Sequence, residues 1–316
     1  MVEINKWIKA FRLRTLPLAF SSILMAAFLA YYSSHFQLLI LILSLSTTLF
    51  LQVLSNLAND YGDAVSGVDG PDRPGPVRGV QSGSITANQM KIAIIFCAFF
   101  AFISGLILII YVFKDQWLNL LAYLTIGIGA IVAAINYTMG SNPYGYSGLG
   151  DLFVFIFFGL VGVFGGYYLF NPEIEMIFLF PAISCGLLSV GVLNVNNIRD
   201  ISSDRKAGKR SIPVIIGKER AIIYHGFLIS GSFISAIVFV IILKLSFFGF
   251  AFLGSSPIFF YHYKAVKVKE YSSLDGELKK LAFATLFFVL LLGFGINYSQ
   301  FYFQYIKLLI WPFCLN

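Results

Sequence analysis

LLILILSLSTTLFLQVLSNLANDYGDAVSGVDG, residues 38–70, decides the fold. It opens on an uncharged apolar run, from Leu38 to Asn59, and a run of about 20 such residues crosses the hydrocarbon core of a bilayer as one helix. It closes on a polar cluster: Asn56, Asn59, Asp60, Asp63 and, beyond Gly67, Asp69. Carboxylates are costly near a bilayer, so a cluster at the end of a spanning helix points to function. A second cluster of the same kind, Asn196-Asn197-Ile198-Arg199-Asp200 with Asp204, ends another apolar run.

The rest of the chain agrees with the first stretch. Its 316 residues are 58% hydrophobic and only 12% charged, with mean hydropathy +0.83. Soluble domains carry roughly 25% charged residues. Uncharged runs recur along the length, which predicts an all-α polytopic membrane protein of about nine transmembrane helices. The expected cores are Leu16–Tyr31, Leu38–Asn59, Ile92–Val112, Leu118–Ile135, Leu152–Phe170, Met176–Leu193, Ala221–Leu243, Leu245–Tyr261 and Leu281–Tyr298. A single intramembrane domain fills residues 1–316, and residues 299–316 read as a short interfacial tail interrupted by Lys307 and Pro312. The basic N-terminus is not followed by a small-residue cleavage site, so no cleavable signal peptide is expected.

Charge sets the orientation. With the N-terminus in the cytoplasm and nine alternating spans, all of the 22 Lys and Arg residues but Lys114, Lys244 and Lys307 fall on the cytoplasmic side. This topology accounts for the net charge of +7 without any nucleic-acid partner. The long loops, at residues 64–90, 138–150, 201–220 and 263–280, lie on the same side as both acidic clusters. Long loops in compact proteins often carry function. Thr86-Ala87-Asn88-Gln89 reads as a capping box opening the third span. Cys97, Cys185 and Cys314 share no ligand spacing and read as packing residues. His35, His225 and His262 are far apart in sequence and are assigned to different membrane sides, which argues against a relay. Gly162–Gly166 suggests close helix packing rather than a phosphate loop.

Helical geometry groups the polar residues. Positions four apart lie about 40° apart around a helix. Asn59 pairs with Asp63, Asn56 with Asp60, and Asn196, Asp200 and Asp204 share one stripe if their helix continues. Neighbours at this spacing are close enough to bracket a hard cation. Asp69 rejoins the first stripe only if the chain bends, and Gly62 and Gly67 offer the places. Mg²⁺ prefers oxygen ligands and substrate phosphates, and it reverses the repulsion between carboxylates and a diphosphate. Arg73, Arg78, Lys209 and Arg210 follow the clusters and suit the remaining phosphate oxygens.

These residues resemble the UbiA-type intramembrane prenyltransferase superfamily. The likeness runs from Arg14 to about Gly217 through RTLPL (14–18), NLANDYGDAVSGVDG (56–70), VQSGSIT (80–86), NPYGYSGLGDLFVFIFFG (142–159) and NNIRDISSDRKAGKRSIPV (196–214). The fourth tract, and Asp69 standing two residues beyond the usual last acidic position (here Gly67), favour its naphthoate branch. The resemblance implies that the helices bundle around a central intramembrane cavity, and it implies Mg²⁺-dependent transfer of a polyprenyl chain from polyprenyl diphosphate to 1,4-dihydroxy-2-naphthoate, with loss of carbon dioxide, in a membrane-lipid setting. Carried over, Asn59, Asp63, Asp69, Asn196, Asp200 and Asp204 are expected as metal–diphosphate residues, with Asp63, Asp200 and Asp204 catalytic. Arg14, Asn56, Asn59, Asp60, Arg73, Arg78, Asn196, Asn197, Lys209 and Arg210 are expected at the substrates. The loop Tyr137–Tyr146 lacks the Lys found in some relatives, which leaves Tyr137 and Tyr144 as its hydrogen-bonding candidates. A sister enzyme acting on 4-hydroxybenzoate or another quinone, haem or chlorophyll precursor stays open, as does a cation-coupled transporter. The transporter reading requires carboxylates at mid-membrane on broken helices rather than at helix ends.

Overall fold

Apolar runs of this length can satisfy their backbone only by forming helices, because lipid offers no hydrogen bonds. The computed structural model, which describes residues 2–69 and 74–310, is helical accordingly. An N-terminal helix α1 (Val2–Phe11) precedes α2 (Leu16–Tyr32), α3 (Leu38–Val65), α4 (Ala87–Phe113) and α5 (Trp117–Asn136). After a loop come α6 (Gly150–Tyr168) and α7 (Leu179–Arg199), then two short helices, α8 (Ile201–Lys206) and α9 (Ile212–Ile216). Finally α10 (Lys218–Ile242), α11 (Ser256–Val268) and α12 (Asp275–Ile310) complete the bundle.

Eight helical stretches among the described residues are long and apolar enough to span a membrane. The expected ninth, Leu245–Tyr261, is composite: a 3₁₀ stretch over Phe247–Ser255 runs into α11. The last helix also departs from expectation. It continues unbroken through Ile310, 36 residues or about 54 Å, where a separate tail from residue 299 was expected. Residues 311–316, with Pro312 and Cys314, lie outside the described residues.

Packing places the core between α2, α6, α7, α10 and α12, where Met25, Leu29, Phe178, Leu188, Phe239, Phe288 and Leu292 are fully enclosed. A second cluster joins Ala10 of α1 to Val53, Leu54 and Leu57 of α3 and to Met90 and Ile94 of α4. Glycine makes the closest approaches possible. A Cβ on Gly159 would stand 2.7 Å from the Ala182 carbonyl, and one on Gly162 would stand 2.9 Å from the Ser22 Cβ. The glycine-rich tract is therefore a packing surface. It also holds a feature that hydropathy does not signal, a π-helical stretch over Phe155–Gly165. Such turns are rare and frequent at functional sites.

The expected capping box is present. Thr86 Oγ1 accepts from the Gln89 amide at 3.2 Å, and Gln89 Oε1 accepts from the Thr86 amide at 3.0 Å. Replacing Thr86 by Ala is expected to lower stability by about 1 kcal/mol, read from unfolding in detergent micelles. An unchanged midpoint would show that lipid-buried packing of α4 makes its cap redundant.

Candidate active site

The C-terminal ends of α3 and α7 carry the two polar clusters, and three loops draw them together at one end of the bundle. In the first cluster the α3 helix ends at Val65, and Gly67 adopts φ +77°. That left-handed residue turns the chain back, so that the Asp69 amide donates to the Asp63 carbonyl at 3.1 Å. Gly62 does not bend. It stays helical, and its lack of a side chain lets Thr138 pack close, since a Cβ there would lie 2.5 Å from the Thr138 carbonyl. Arg78 reaches in from the following loop and bridges the two carboxylates, with Nη1 2.6 Å from Asp63 Oδ2 and 3.0 Å from Asp69 Oδ2. The same nitrogen donates to the Asn59 carbonyl at 2.9 Å.

The second cluster is built across a helix junction. Helix α7 ends and α8 begins at Asp200, yet the four-residue ladder persists, from the Asp200 amide to the Asn196 carbonyl and from the Asp204 amide to the Asp200 carbonyl. The stripe Asn196–Asp200–Asp204 is thereby retained. Lys209 Nζ lies 3.4 Å from Asp204 Oδ1. The two clusters meet through Tyr146, whose hydroxyl donates to Asp63 Oδ1 at 2.9 Å and whose carbonyl accepts from the Arg210 amide at 2.9 Å.

Electrostatics tie the halves into one site. Burial alone would lower the Lys209 ammonium, but Asp63 and Asp204 outweigh it and raise its pKa above the usual lysine value. Burial likewise opposes charge on Arg78, and Asp63 and Asp69 more than restore it. Asp204 is pushed up by burial against the pull of Lys209. Burial raises the Tyr137 hydroxyl to about 12, with Lys209 lowering it and Asp204, Asp63 and Asp151 raising it.

The other expected residues divide by what they touch. Asp60 is buried and accepts from the Gly79 and Val80 amides, so it fastens the Arg78 loop. Asn56 donates to the Phe11 carbonyl and Thr15 Oγ1, which ties α1 to α3 rather than facing a substrate. Asn59 Oδ1 accepts from Thr138. Tyr144 donates to the Ala133 carbonyl, a backbone role, and its place beside Asp63 is taken by Tyr146, which the sequence did not single out. Asn197 is buried, and its Oδ1 has no hydrogen-bond partner among the described residues. Arg210 is exposed and joins the site through its backbone. Arg73 lies outside the described residues.

Arg199 and Asp275 were also missed. Arg199, only 2% exposed, forks onto both Asp200 oxygens at 2.8 and 2.7 Å, and also donates to Asn196 Oδ1 and Asp275 Oδ1. Asp275 receives Arg14 as well, at 2.6 Å. Away from the site, His225 and His262 are not apart. Their Nε2 atoms are 3.0 Å from one another, and His262 Nδ1 is 3.0 Å from Glu277 Oε2. The cause is the antiparallel pairing of α10 with α11, which returns the chain to the same level.

The site offers oxygen donors, the set a hard divalent cation takes. No group of three or more His, Cys, Asp or Glu among the described residues closes into a metal cage. Instead a guanidinium nitrogen stands between Asp63 and Asp69, and the buried Arg78 Nε has no hydrogen-bond partner among the described residues. A positive group between two carboxylate oxygens marks where a cation suits the field, so the residues fit Mg²⁺.

An all-helical membrane bundle with two facing carboxylate clusters defines a class, and the chain belongs to the UbiA prenyltransferase family, whose profile matches residues 19–292. It is 44% identical over 252 residues to 1,4-dihydroxy-2-naphthoate octaprenyltransferase of Escherichia coli K12, covering 80% of this chain and 82% of that protein. It is 39% identical to the Haemophilus influenzae protein of the same name, over 93% of this chain and 96% of that one. Among solved structures, a UbiA homologue from Aeropyrum pernix K1 superimposes with TM-score 0.62 at 18% identity, covering 91% and 97% of the chains. One from Archaeoglobus fulgidus, bound to DMAPP and Mg²⁺, gives 0.58 at 15% identity, covering 92% and 99%. These two likenesses establish the fold; the apolar helices and the family membership mark an integral membrane protein.

Proposed function

We propose that this protein transfers a polyprenyl chain from polyprenyl diphosphate to 1,4-dihydroxy-2-naphthoate, releasing diphosphate and carbon dioxide and giving demethylmenaquinol for menaquinone biosynthesis. The observation that carries this reading is the naphthoate octaprenyltransferase name shared by relatives 44% and 39% identical over most of the chain. The meeting of Asp63, Asp69, Asp200 and Asp204 at one end of the bundle supports it. Asp63, Asp200 and Asp204, with Asn59, Asp69 and Asn196, would hold Mg²⁺. When bound, the metal supplies positive charge at the leaving diphosphate.

The chain's own residues do the remaining work. Arg78 and Lys209, held now by carboxylates, are placed to move onto phosphate oxygens. Tyr146 keeps Asp63 oriented. The helices around the site exclude water from the allylic cation, which would otherwise be quenched. The polyprenyl tail lies among lipid-facing helices, with the N-terminus and active-site loops on the cytoplasmic side of the inner membrane, as the distribution of Lys and Arg supports.

An acceptor panel with purified protein and radiolabelled polyprenyl diphosphate tests the assignment. Turnover of dihydroxynaphthoate, abolished by chelation and restored by Mg²⁺, is expected. Preference for 4-hydroxybenzoate would replace the naphthoate reading with its sister activity.

A further inference from the structure

Among the described residues, one carboxylate beside the site makes no ion pair. Asp151 stands in the first turn of α6, half-buried, immediately after Gly150. Its Oδ2 accepts from the Tyr224 hydroxyl at 3.0 Å, and among the described residues it makes no ion pair. Every other carboxylate described at the site has an arginine or lysine, or backbone amides, on it. Gly150, the neighbour of Asp151, packs against the Tyr137 ring. A Cβ on Gly150 would stand 3.3 Å from the Tyr137 hydroxyl, and Tyr137 responds at once to Asp204, Asp63 and Asp151.

A carboxylate without a cation is a poor ligand for a diphosphate and a good acceptor for a phenolic proton. We propose that Asp151 accepts the proton of the acceptor hydroxyl beside the reacting ring carbon, with Tyr224 holding its other oxygen. This rests on the naphthoate reading. The ring carbon that bears the carboxylate forms a bond to the allylic carbon. The C–O bond to diphosphate breaks, and its electron pair leaves with diphosphate. The neighbouring hydroxyl proton passes to Asp151, which leaves a ketone next to the carboxylate. That β-keto carboxylate loses carbon dioxide, the electron pair of the broken C–C bond returns to the ring, and Asp151 gives its proton back to the oxygen. The products are the prenylated diol, carbon dioxide and diphosphate, and Asp151 ends as it began.

A carboxylate in the first turn of a helix also favours the helix dipole, a role that any acceptor would leave unchanged. Two acceptors therefore separate the roles: 1,4-dihydroxy-2-naphthoate and its methyl ether at the hydroxyl next to the carboxylate. Asp151→Asn is expected to lower kcat on the diol about 100-fold, with KM for polyprenyl diphosphate unchanged. On the ether, which has no proton to give, wild type and D151N are expected to be equally slow. D151N within threefold of wild type on the diol, or an equal loss on both acceptors, would overturn the assignment. If D151N does not accumulate folded, Tyr224→Phe carries the test, with a several-fold loss expected on the diol alone and no loss overturning the role. Wild type inactive on the diol overturns the naphthoate reading itself, whereas active wild type with indifferent D151N overturns Asp151 only.

Discussion

Asp63→Asn is expected to reduce prenyl transfer by about 10³-fold while leaving the fold in place. Asp63 is 2% exposed and uses both oxygens, one on Tyr146 and one on Arg78. Asn keeps the size, and its carbonyl can still receive one of those donors. Arg78 also retains Asp69 at 3.0 Å. Breaking the Asp63 hydrogen bonds to charged groups therefore costs about 1–3 kcal/mol of stability. The loss of a negative charge bears far more on activity, because electrostatic stabilisation of developing charge is commonly the largest catalytic contribution. A higher Mg²⁺ requirement should accompany the fall in rate. Steady-state kinetics at saturating metal decide the matter, and activity within tenfold of wild type would remove Asp63 from the metal site.

The second large effect is on stability. Arg199→Met is expected to cost about 3–5 kcal/mol, as removal of one member of a buried ion pair usually does. The side chain makes four hydrogen bonds in the bundle interior, two of them to Asp200. Met fills similar space without donating to any of them. Asp200, 3% exposed, then loses its charged fork. Adding Asp200→Asn should recover a large part of the loss, because the carboxylate that lost its fork is then replaced by a neutral amide. Chemical unfolding in micelles gives both values. A cost below 1 kcal/mol for the single variant would mean that Asp200 is neutralised chiefly by other groups.

Much of this architecture is written in short-range patterns. Hydropathy specifies the spans because lipid demands helices, and the four-residue spacing of Asn196, Asp200 and Asp204 survives even the junction at Asp200. Gly67 was recognisable as a turning point because a positive φ costs glycine little. Residues whose partners lie far away in sequence were not legible. Tyr146 meets Asp63 across 83 positions, and Arg14 meets Asp275 across 261. No local pattern distinguishes Tyr146 from Tyr144, since only the course of the loop sends one to a carboxylate and the other to the Ala133 carbonyl. The π-helical stretch is equally silent in sequence, because its side chains would suit an α-helix as well. The His225–His262 contact depends on how deep each helix sits, which hydropathy cannot resolve.

The pairing of Arg78 with Asp63 and Asp69, and of Lys209 with Asp204, has a consequence for the catalytic cycle. The resting site is its own salt. Asp63, Asp69 and Asp204 would hold a metal diphosphate only by releasing Arg78 and Lys209, which would then reach phosphate oxygens, so ion partners would be swapped instead of created. Few charges need to be stripped of water on the way in. On departure of diphosphate the same cations would return to the carboxylates they left, so the product would be held less tightly than its charge alone suggests. Turnover then resembles ion exchange on a fixed resin, with the helix ends as the matrix.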